Sequence, residues 1–233
     1  MPRQRKVQRG LWIGGLATLL ILQFSALESG AGIIGNPVSS GRSTTTLSQL
    51  HLEFDQLELD IDSGTGGFDG QSTSERILFK GVYGATPFLD ISIRFGVSDF
   101  ETPSREFTGD LGPAFGIGFR RTFYEKGDFR LGAGAQFLTF ETRDTGPTPR
   151  LRYSEFETFV GGALTGLERV SAYFGILISK GYGNFRNGPT IRSNNPFGLF
   201  LGGEFQIYDR YYFSGEARVI NENALTVSLS YRL

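Results

Sequence analysis

The chain has 233 residues, with 23 basic side chains, 24 acidic side chains and one histidine, so its formal charge is −1. The chain is long enough for one domain or one barrel. Because it contains no cysteine, a disulfide, a thiolate metal site and a lipid-anchored cysteine are all excluded.

The first 31 residues have the order of a secretory signal peptide. Basic residues (Arg3, Arg5, Lys6 and Arg9) precede an apolar run, Leu11 to Leu27, and the small residues Ser29-Gly30-Ala31. This order predicts export and cleavage after Ala31. A retained anchor is the alternative, although a run of 17 residues is at the lower limit for a spanning helix. Loss of four bases and Glu28 leaves 19 basic and 23 acidic residues, a charge of −4, with no basic cluster for nucleic acid.

Residues 32–46 are rich in Gly, Ser and Thr and predict a flexible N-terminal segment. From residue 47 to residue 233, alternating apolar and polar residues predict a β-barrel of ten strands, with eight as the alternative. The predicted strands are 47–62, 75–86, 88–98, 109–124, 128–141, 151–166, 169–182, 196–208, 210–220 and 224–233. Most reach the 9 to 11 residues that a tilted transmembrane strand needs.

The first predicted strand changes its parity. Its apolar positions move from Leu50, Leu52 and Phe54 to Leu57, Leu59 and Ile61, which predicts a bulge near Asp55-Gln56. The same strand is expected to add Glu53, Asp55, Glu58 and Asp60 to the barrel interior. The sixth strand alternates poorly, and its Glu155 and Glu157 are assigned to the interior only on parity.

The connections alternate between short and long. Short turns are predicted around residues 86–87, 125–128, 167–169 and 209–210, and long Gly-, Pro-, Ser- and Asn-rich loops include residues 63–74 and 183–196. The connection at residues 221–223 is a brief exception. Short turns on one rim, long loops on the other and an even strand count are typical of outer-membrane barrels.

One face of the predicted sheet is free of charge over four strands. It carries Leu89, Ile91, Ile93, Phe95 and Val97; Leu111, Phe115, Ile117 and Phe119; Val170, Ala172, Phe174, Ile176 and Ile178; and Phe197, Leu199, Leu201, Phe205 and Ile207. We expect hydrocarbon against this face, since a mid-bilayer Lys or Arg costs about 2 to 4 kcal/mol.

The opposite face is expected to form a charge-paired lumen. Its predicted network is Lys80, Arg94, Arg120, Arg130, Glu204, Glu216 and Arg218. Buried charges persist when they are paired or hydrated, so opposite charges should meet inside. Aromatic residues beside the short turns predict a girdle at one membrane interface. They are Tyr83, Phe88, Tyr124, Phe129, Tyr208, Tyr211 and Tyr231.

The signal peptide, the one-sided loops and the final alternation Leu225, Val227, Leu229, Tyr231, Leu233 resemble small Gram-negative outer-membrane barrels, of the OmpA membrane-domain or OmpW kind. The resemblance implies an antiparallel up-and-down barrel in the outer membrane, in contact with outer-membrane lipid. It also implies that the barrel-insertion machinery recognises the last strand. The chain departs from the pattern by ending in Leu233 rather than in an aromatic residue.

The sequence contains no convincing reactive set, so no catalytic residue, metal site or cofactor is predicted. His51 is the one histidine, and Ser48, three residues away, lies on the opposite strand face. Asp60 and Asp62 lack the spacing of a calcium loop, and the glycine-rich stretches lack the features of a phosphate loop. We therefore predict a structural or narrow-pore, porin-like role, without assigning an oligomeric state.

Three alternatives remain open from the sequence. A membrane-embedded hydrolase or acyltransferase would use His51 or an acid near the outer rim. A soluble secreted barrel would turn its oily face inward around an apolar ligand. An adhesin would bind partners through exposed loop aromatics, Phe68, Phe100, Phe107 and Phe185.

Overall fold

The computed structural model describes residues 34–41, 47–64, 69–102, 107–144, 150–186, 188–220 and 222–233. The predicted signal peptide lies outside these residues. The described residues form eleven β-strands: β1 (Leu47–Asp62), β2 (Gly70–Thr86), β3 (Leu89–Glu101), β4 (Thr108–Lys126), β5 (Phe129–Thr142), β6 (Leu151–Leu167), β7 (Val170–Phe185), β8 (Thr190–Ser193), β9 (Phe197–Tyr208), β10 (Tyr211–Val219) and β11 (Glu222–Arg232). In this part of the chain no helix is long and apolar enough to cross a bilayer.

Ten long strands close into an antiparallel barrel, which confirms the predicted fold. Consecutive long strands pair with one another, so that β7 pairs with β9, and the cylinder closes between β1 and β11 from Gln49↔Arg232 to Leu59↔Glu222. Closure removes the unpaired edges that an open sheet would expose. We call the end with the short turns the turn end and the opposite end the loop end.

The short strand β8 narrows the loop end of the barrel. It pairs with β7 at residues 182–184 and with β1 at Ile61 and Asp62. The strands β9, β10 and β11 end below this level, so the ring there consists of β1 to β8. The barrel therefore has ten strands over most of its height and eight at the loop end. The sequence predicts only a long loop at residues 183–196, whereas the structure contains β8 within this segment.

The outer face is apolar around the middle of the barrel. Ile93, Phe95, Phe115, Phe174 and Leu201 are each at least half exposed and point away from the lumen. The other predicted outer-face residues share their parity, as the period of two in a strand requires. The oily face is thus on the outside of the barrel, which contradicts the alternative of an inward-facing apolar pocket.

The predicted bulge near Asp55-Gln56 does not form. The register of β1 against β2 runs without a break from Gln49 to Ile61, and the one shift lies at Leu47/Gln49. The parity changes because the environment changes along the strand. Beyond Gln56 the outer positions are polar and the inner positions are apolar, so Glu58 and Asp60 lie on the outer face rather than in the lumen.

Residues 34–41 lie inside the barrel at its turn end rather than forming a flexible lead-in. Ile34 and Val38 are each 3% exposed and pack with Phe159, Tyr173 and Phe200. The segment has no periodicity, but its backbone N–H groups donate hydrogen bonds to Glu216, Thr122 and Asp90 of the barrel, and these bonds order it. We call residues 34–41 the N-terminal plug.

Candidate functional site in the barrel lumen

The middle of the lumen contains an ionic layer that begins at Glu53. The Glu53 carboxylate is fully buried and accepts hydrogen bonds from Lys80 Nζ and Arg94 Nε, each at 3.0 Å. Arg94 Nη1 also donates to Gln136 Oε1 at 2.6 Å, and Gln136 Nε2 donates to Glu157. Hydrogen bonds to ionised groups are the strong ones in a low-dielectric interior. The chain of contacts thus extends from β1 to β6.

Arg218 is the second centre of the ionic layer. Its Nη1 donates to Glu157 Oε1 at 2.6 Å and to Glu222 Oε1 at 3.0 Å, while its Nε donates to Glu216 Oε1 at 2.9 Å. A guanidinium suits this place because its planar set of donors stays charged and can serve several carboxylates. Glu157 joins this centre to Glu53 through Gln136, so one network crosses the lumen.

Three carboxylates of this layer lie close enough to hold a metal ion. The ligand atoms of Glu155, Glu157 and Glu222 lie within 4.8 Å of one another. However, Arg218 bonds two of them, and Arg76 Nη1 bonds Glu155 at 3.1 Å. Because two guanidinium groups already supply the positive charge, this geometry favours an ion-pair layer over a metal centre.

An apolar cap fills the lumen between the ionic layer and the loop end. It comprises Leu57, Leu59, Ile61, Leu78, Phe100, Phe107, Ala114, Leu138, Phe140, Leu151, Tyr153, Phe185 and Ile191. The ring centroids of Phe100 and Tyr153 are 5.3 Å apart, and Phe107 meets Phe185 edge to face at 5.0 Å. Such pairs add about 0.5 to 1.5 kcal/mol beyond their burial.

The cap contradicts the expectation that the loop aromatics are exposed anchors. Phe100 and Phe107 are fully buried and Phe185 is 4% exposed. Phe68 lies outside the described residues. Phe100 and Phe185 have the inward parity of β3 and β7, and Phe107 immediately precedes β4. Beyond the apolar belt these side chains gain more by packing together than by facing water.

The N-terminal plug is hydrogen-bonded to three barrel strands, β3, β4 and β10. Glu216 accepts the backbone N–H groups of Ile34 at 3.0 Å and Gly35 at 2.9 Å. The N–H of Ser39 donates to Thr122 Oγ1 and that of Ser40 to Asp90 Oδ2, each at 2.8 Å. Arg120, paired with Asp90, donates to the carbonyl of Asn36 at 2.8 Å. Side chains thus satisfy plug backbone groups that a strand ladder would otherwise serve.

Two inward glycines make room for the groups that fill the turn half. A Cβ at Gly202 would collide with the Tyr173 ring, and one at Gly132 would collide with the carbonyl of Pro37 in the plug. In the structure, these two glycines face an aromatic ring and the plug backbone.

The cavities along the lumen shrink from the turn end towards the cap. A vestibule of about 310 Å³ lies at the turn end, next to the plug. Above it, voids of about 20 Å³ near Arg94 and about 10 Å³ near Arg76 lie within the ionic layer. Since one water needs roughly 10 to 15 Å³ of such volume, these voids are water-sized and are too small for a solute.

His51 lines the vestibule without a catalytic partner set. Its Nε2 lies 3.1 Å from Gln49 Oε1, and its Nδ1 lies 3.5 Å from the hydroxyl of Ser228. In the described part of the chain no carboxylate is hydrogen-bonded to this imidazole. A Ser–His pair needs an orienting third group and a short contact. The residue is also in the turn half, far from the outer rim where a hydrolase site was considered.

The structure brings together most of the predicted lumen charges, in separate groups. Lys80 and Arg94 meet at Glu53, and Glu216 pairs with Arg218. Nearer the turn end, Arg120 pairs with Asp90 and Glu204 with Arg232. Arg130 lies apart at the turn rim, where its side chain is partly exposed and its Nη2 contacts Glu125 at 2.8 Å.

Several members of these groups were absent from the predicted network. They are Arg76, Asp90, Gln136, Glu222 and Arg232, whereas the interior positions predicted for Glu53, Glu155 and Glu157 agree with the structure. Strand parity could have identified the missed residues, since Arg76 lies on the same face of β2 as Lys80. The inward face is not uniformly polar, however, because apolar side chains such as Leu78 also point inward and interrupt the pattern.

The predicted girdle aromatics are near the short turns. Tyr83, Phe88, Tyr124, Tyr208 and Tyr211 are all exposed. Tyr211 and Tyr231 face each other across β10 and β11 with ring centroids 5.0 Å apart, and Phe129 lies against Gly162. They surround the turn end of the apolar belt.

Known structures with this architecture are bacterial outer-membrane barrels. An outer-membrane channel from Pseudomonas putida F1 aligns with a TM-score of 0.51 at 8% identity, covering 87% of this chain and 100% of that chain. The translocator domain of the autotransporter NalP from Neisseria meningitidis aligns at 0.44 and 10% identity, covering 95% and 97%. No family model and no curated protein matches the sequence. The first alignment shows the fold of an outer-membrane barrel at this low identity.

Proposed function

We propose that this protein is a small outer-membrane barrel of the OmpA or OmpW kind, with a structural role and a closed lumen. The observation that carries the proposal is the filling of one cylinder at three levels by the N-terminal plug, the ionic layer and the apolar cap. No solute-sized passage crosses the described part of the lumen, where the voids inside the ionic layer measure about 20 and 10 Å³.

The outer face supports the membrane location. Ile93, Phe115 and Leu201 are 50%, 52% and 64% exposed, although burial of a side chain of this size is worth about 1.5 to 3 kcal/mol. A continuous outward belt of such residues is the band that faces lipid hydrocarbon in outer-membrane barrels, where it is removed from water. The proposal includes export by a signal peptide cleaved after Ala31, contact with outer-membrane lipid, and insertion guided by the alternating β11.

A narrow pore is the competing role, because the Pseudomonas putida protein of the same fold is a channel. The likeness is one of fold, and the lumen of this chain argues for closure. Opening a path would require displacement of the plug, of the ion pairs around Arg218 and of the packed rings around Phe100.

Planar-bilayer recording tests the closed lumen. The purified chain is reconstituted in liposomes, and flotation in a density gradient establishes that it has inserted. Fusion of these liposomes with a bilayer should give no stable conductance steps. Stable steps, reproduced in independent preparations, would contradict a closed barrel and support the narrow pore.

A matched pair of double variants tests whether the apolar cap is the part of the lumen that blocks the passage of ions. Phe100→Ala with Tyr153→Ala empties the centre of the cap and should introduce brief current spikes. Phe115→Ala with Phe174→Ala removes the same kind of bulk from the outer face and should remain silent. Equal behaviour of the two double variants would show that the cap does not form the seal.

A further inference from the structure

The vestibule at the turn end has the size and lining of a ligand site. Its volume of about 310 Å³ is at the small end of the range of ligand pockets, roughly 300 to 1,000 Å³. Gly35, Asn36 and Ser39 of the N-terminal plug form part of its wall, and strands from opposite sides of the barrel form the rest. The space admits a small solute from the turn end.

Basic side chains outnumber acidic ones in the lining of this cavity. Five basic residues line it (Lys80, Arg120, Arg130, Arg169 and Arg232), against three acidic ones (Glu53, Glu168 and Glu204). Ion pairs engage Glu53 and Glu204, and they also engage four of the five bases, two of them with Asp90 and Glu125 outside the lining. Because a paired guanidinium keeps further N–H donors, the lining favours an anion that offers acceptor oxygens over a cation.

Hydrogen-bond donors in the lining have no acceptor. Arg130 Nε and Arg232 Nε have no partner among the described residues, and Tyr173 Oη, in a side chain that is 1% exposed, lies near the Glu216 carboxylate without a hydrogen bond of good geometry. Leaving a buried donor unsatisfied costs about 1 to 3 kcal/mol. A ligand that offers acceptor oxygens would recover that cost, whereas a ligand that offers donors would not.

The guanidinium of Arg232 is fixed in position before any anion binds. Its guanidinium carbon lies 3.7 Å from the centroid of the Tyr212 ring, and its Nη2 donates to Glu204. Stacking on a ring and pairing with one carboxylate fix the guanidinium plane and leave its Nε without a partner. Little side-chain entropy remains to be lost on binding.

We propose that this vestibule binds a small anion, through phosphate or carboxylate oxygens that accept from Arg232, Tyr173 and Arg130. The site is independent of the closed lumen, because it lies on the turn side of the ionic layer. A solute would enter and leave through the turn end without crossing the barrel.

Isothermal titration of the full chain in detergent micelles tests the site with two probes, inorganic phosphate and succinate. These probes separate the two sources of acceptor oxygens. At least one should bind saturably at one site per chain, and glycerol, which is uncharged, should not bind.

Two variants test which residues bind the anion. Tyr173→Phe keeps the ring and removes the hydroxyl, and should weaken binding about tenfold, as loss of one hydrogen bond to a charged group does. Arg232→Gln keeps a donor for Glu204 and removes the charge, and should weaken binding by at least as much. Arg192→Gln, on the exposed side of β8 at the loop end, is the control and should bind as the unchanged chain does. Circular dichroism establishes that each variant is folded.

Two results would overturn the proposal. One is failure of the unchanged chain to bind either phosphate or succinate. The other is binding that both Tyr173→Phe and Arg232→Gln leave as strong as in the Arg192→Gln control, which would place the anion elsewhere on the protein.

Discussion

The ionic layer and the apolar cap fill adjacent parts of the same cylinder by opposite means. Around Arg218 every carboxylate is matched to a donor at a defined atom, whereas around Phe100 the rings simply pack. A buried ion pair contributes little net free energy to folding. Removal of one partner is nevertheless strongly destabilising, because the other charge stays buried and unpaired. Packed rings contribute in proportion to their burial. The two regions should therefore respond differently to conservative and to drastic changes.

The largest effect is expected at Arg218. Arg218→Met leaves Glu157, Glu216 and Glu222 without their shared donor, and should lower the free energy of unfolding by about 5 kcal/mol, at the upper end for a broken buried pair. Urea unfolding in lipid vesicles measures this change. Arg130→Met is the control, because its pair with Glu125 is partly exposed and should be worth less than about 1 kcal/mol. A similar small loss at both positions would mean that the ionic layer is hydrated and adaptable.

A somewhat smaller effect is expected in the cap. Phe100→Ala opens a cavity among Phe140, Tyr153 and their neighbours, and should cost about 4 kcal/mol in the same assay. Phe100→Leu keeps most of the apolar volume and should cost about 1 kcal/mol. If Leu were as damaging as Ala, the ring contacts rather than the filled volume would be the stabilising feature.

The outer belt provides the third comparison. Ile117→Arg puts a charge on the lipid side of the belt and should cost about 3 kcal/mol. Thr73→Arg, on the outer face of β2 beyond the belt, should cost no more than about 1 kcal/mol near the interface. Equal costs at the two positions would contradict the assignment of hydrocarbon to the belt around Ile117.

The outer face could be predicted from sequence because lipid hydrocarbon contacts the belt throughout and favours apolar side chains at every outward position. Ile91, Ile93 and Phe95 are apolar for the same reason, and a period of two suffices to find them. The lumen could not be predicted in the same way, since its filling changes from charged to apolar along β1. A bulge near Asp55-Gln56 would put Leu57 and Leu59 on the outer face. With the unbroken register of β1 they point inward, into the apolar cap.

Two parts of the candidate site carried no usable sequence signal. Residues 34–41 have no periodicity, and only the cavity that surrounds them and the groups at Glu216 and Asp90 order them. Strand β8 has four residues within a long connection, below the length at which alternation can be recognised. Both depend on contacts far apart in the sequence, such as Ile34 with Glu216.

The closed lumen is tested most directly by two single cysteines on β7, in a chain that has none of its own. Ser171 lines the vestibule, and Ser179, eight residues along the same strand and also inward, lies at the ionic layer with its hydroxyl 3.3 Å from Glu155 Oε1. A membrane-impermeant, water-soluble maleimide should modify Ser171→Cys rapidly and leave Ser179→Cys unmodified in vesicles that expose both ends of the barrel. Comparable labelling of the two positions would show that water and solutes reach the middle of the lumen, and would contradict the closed barrel.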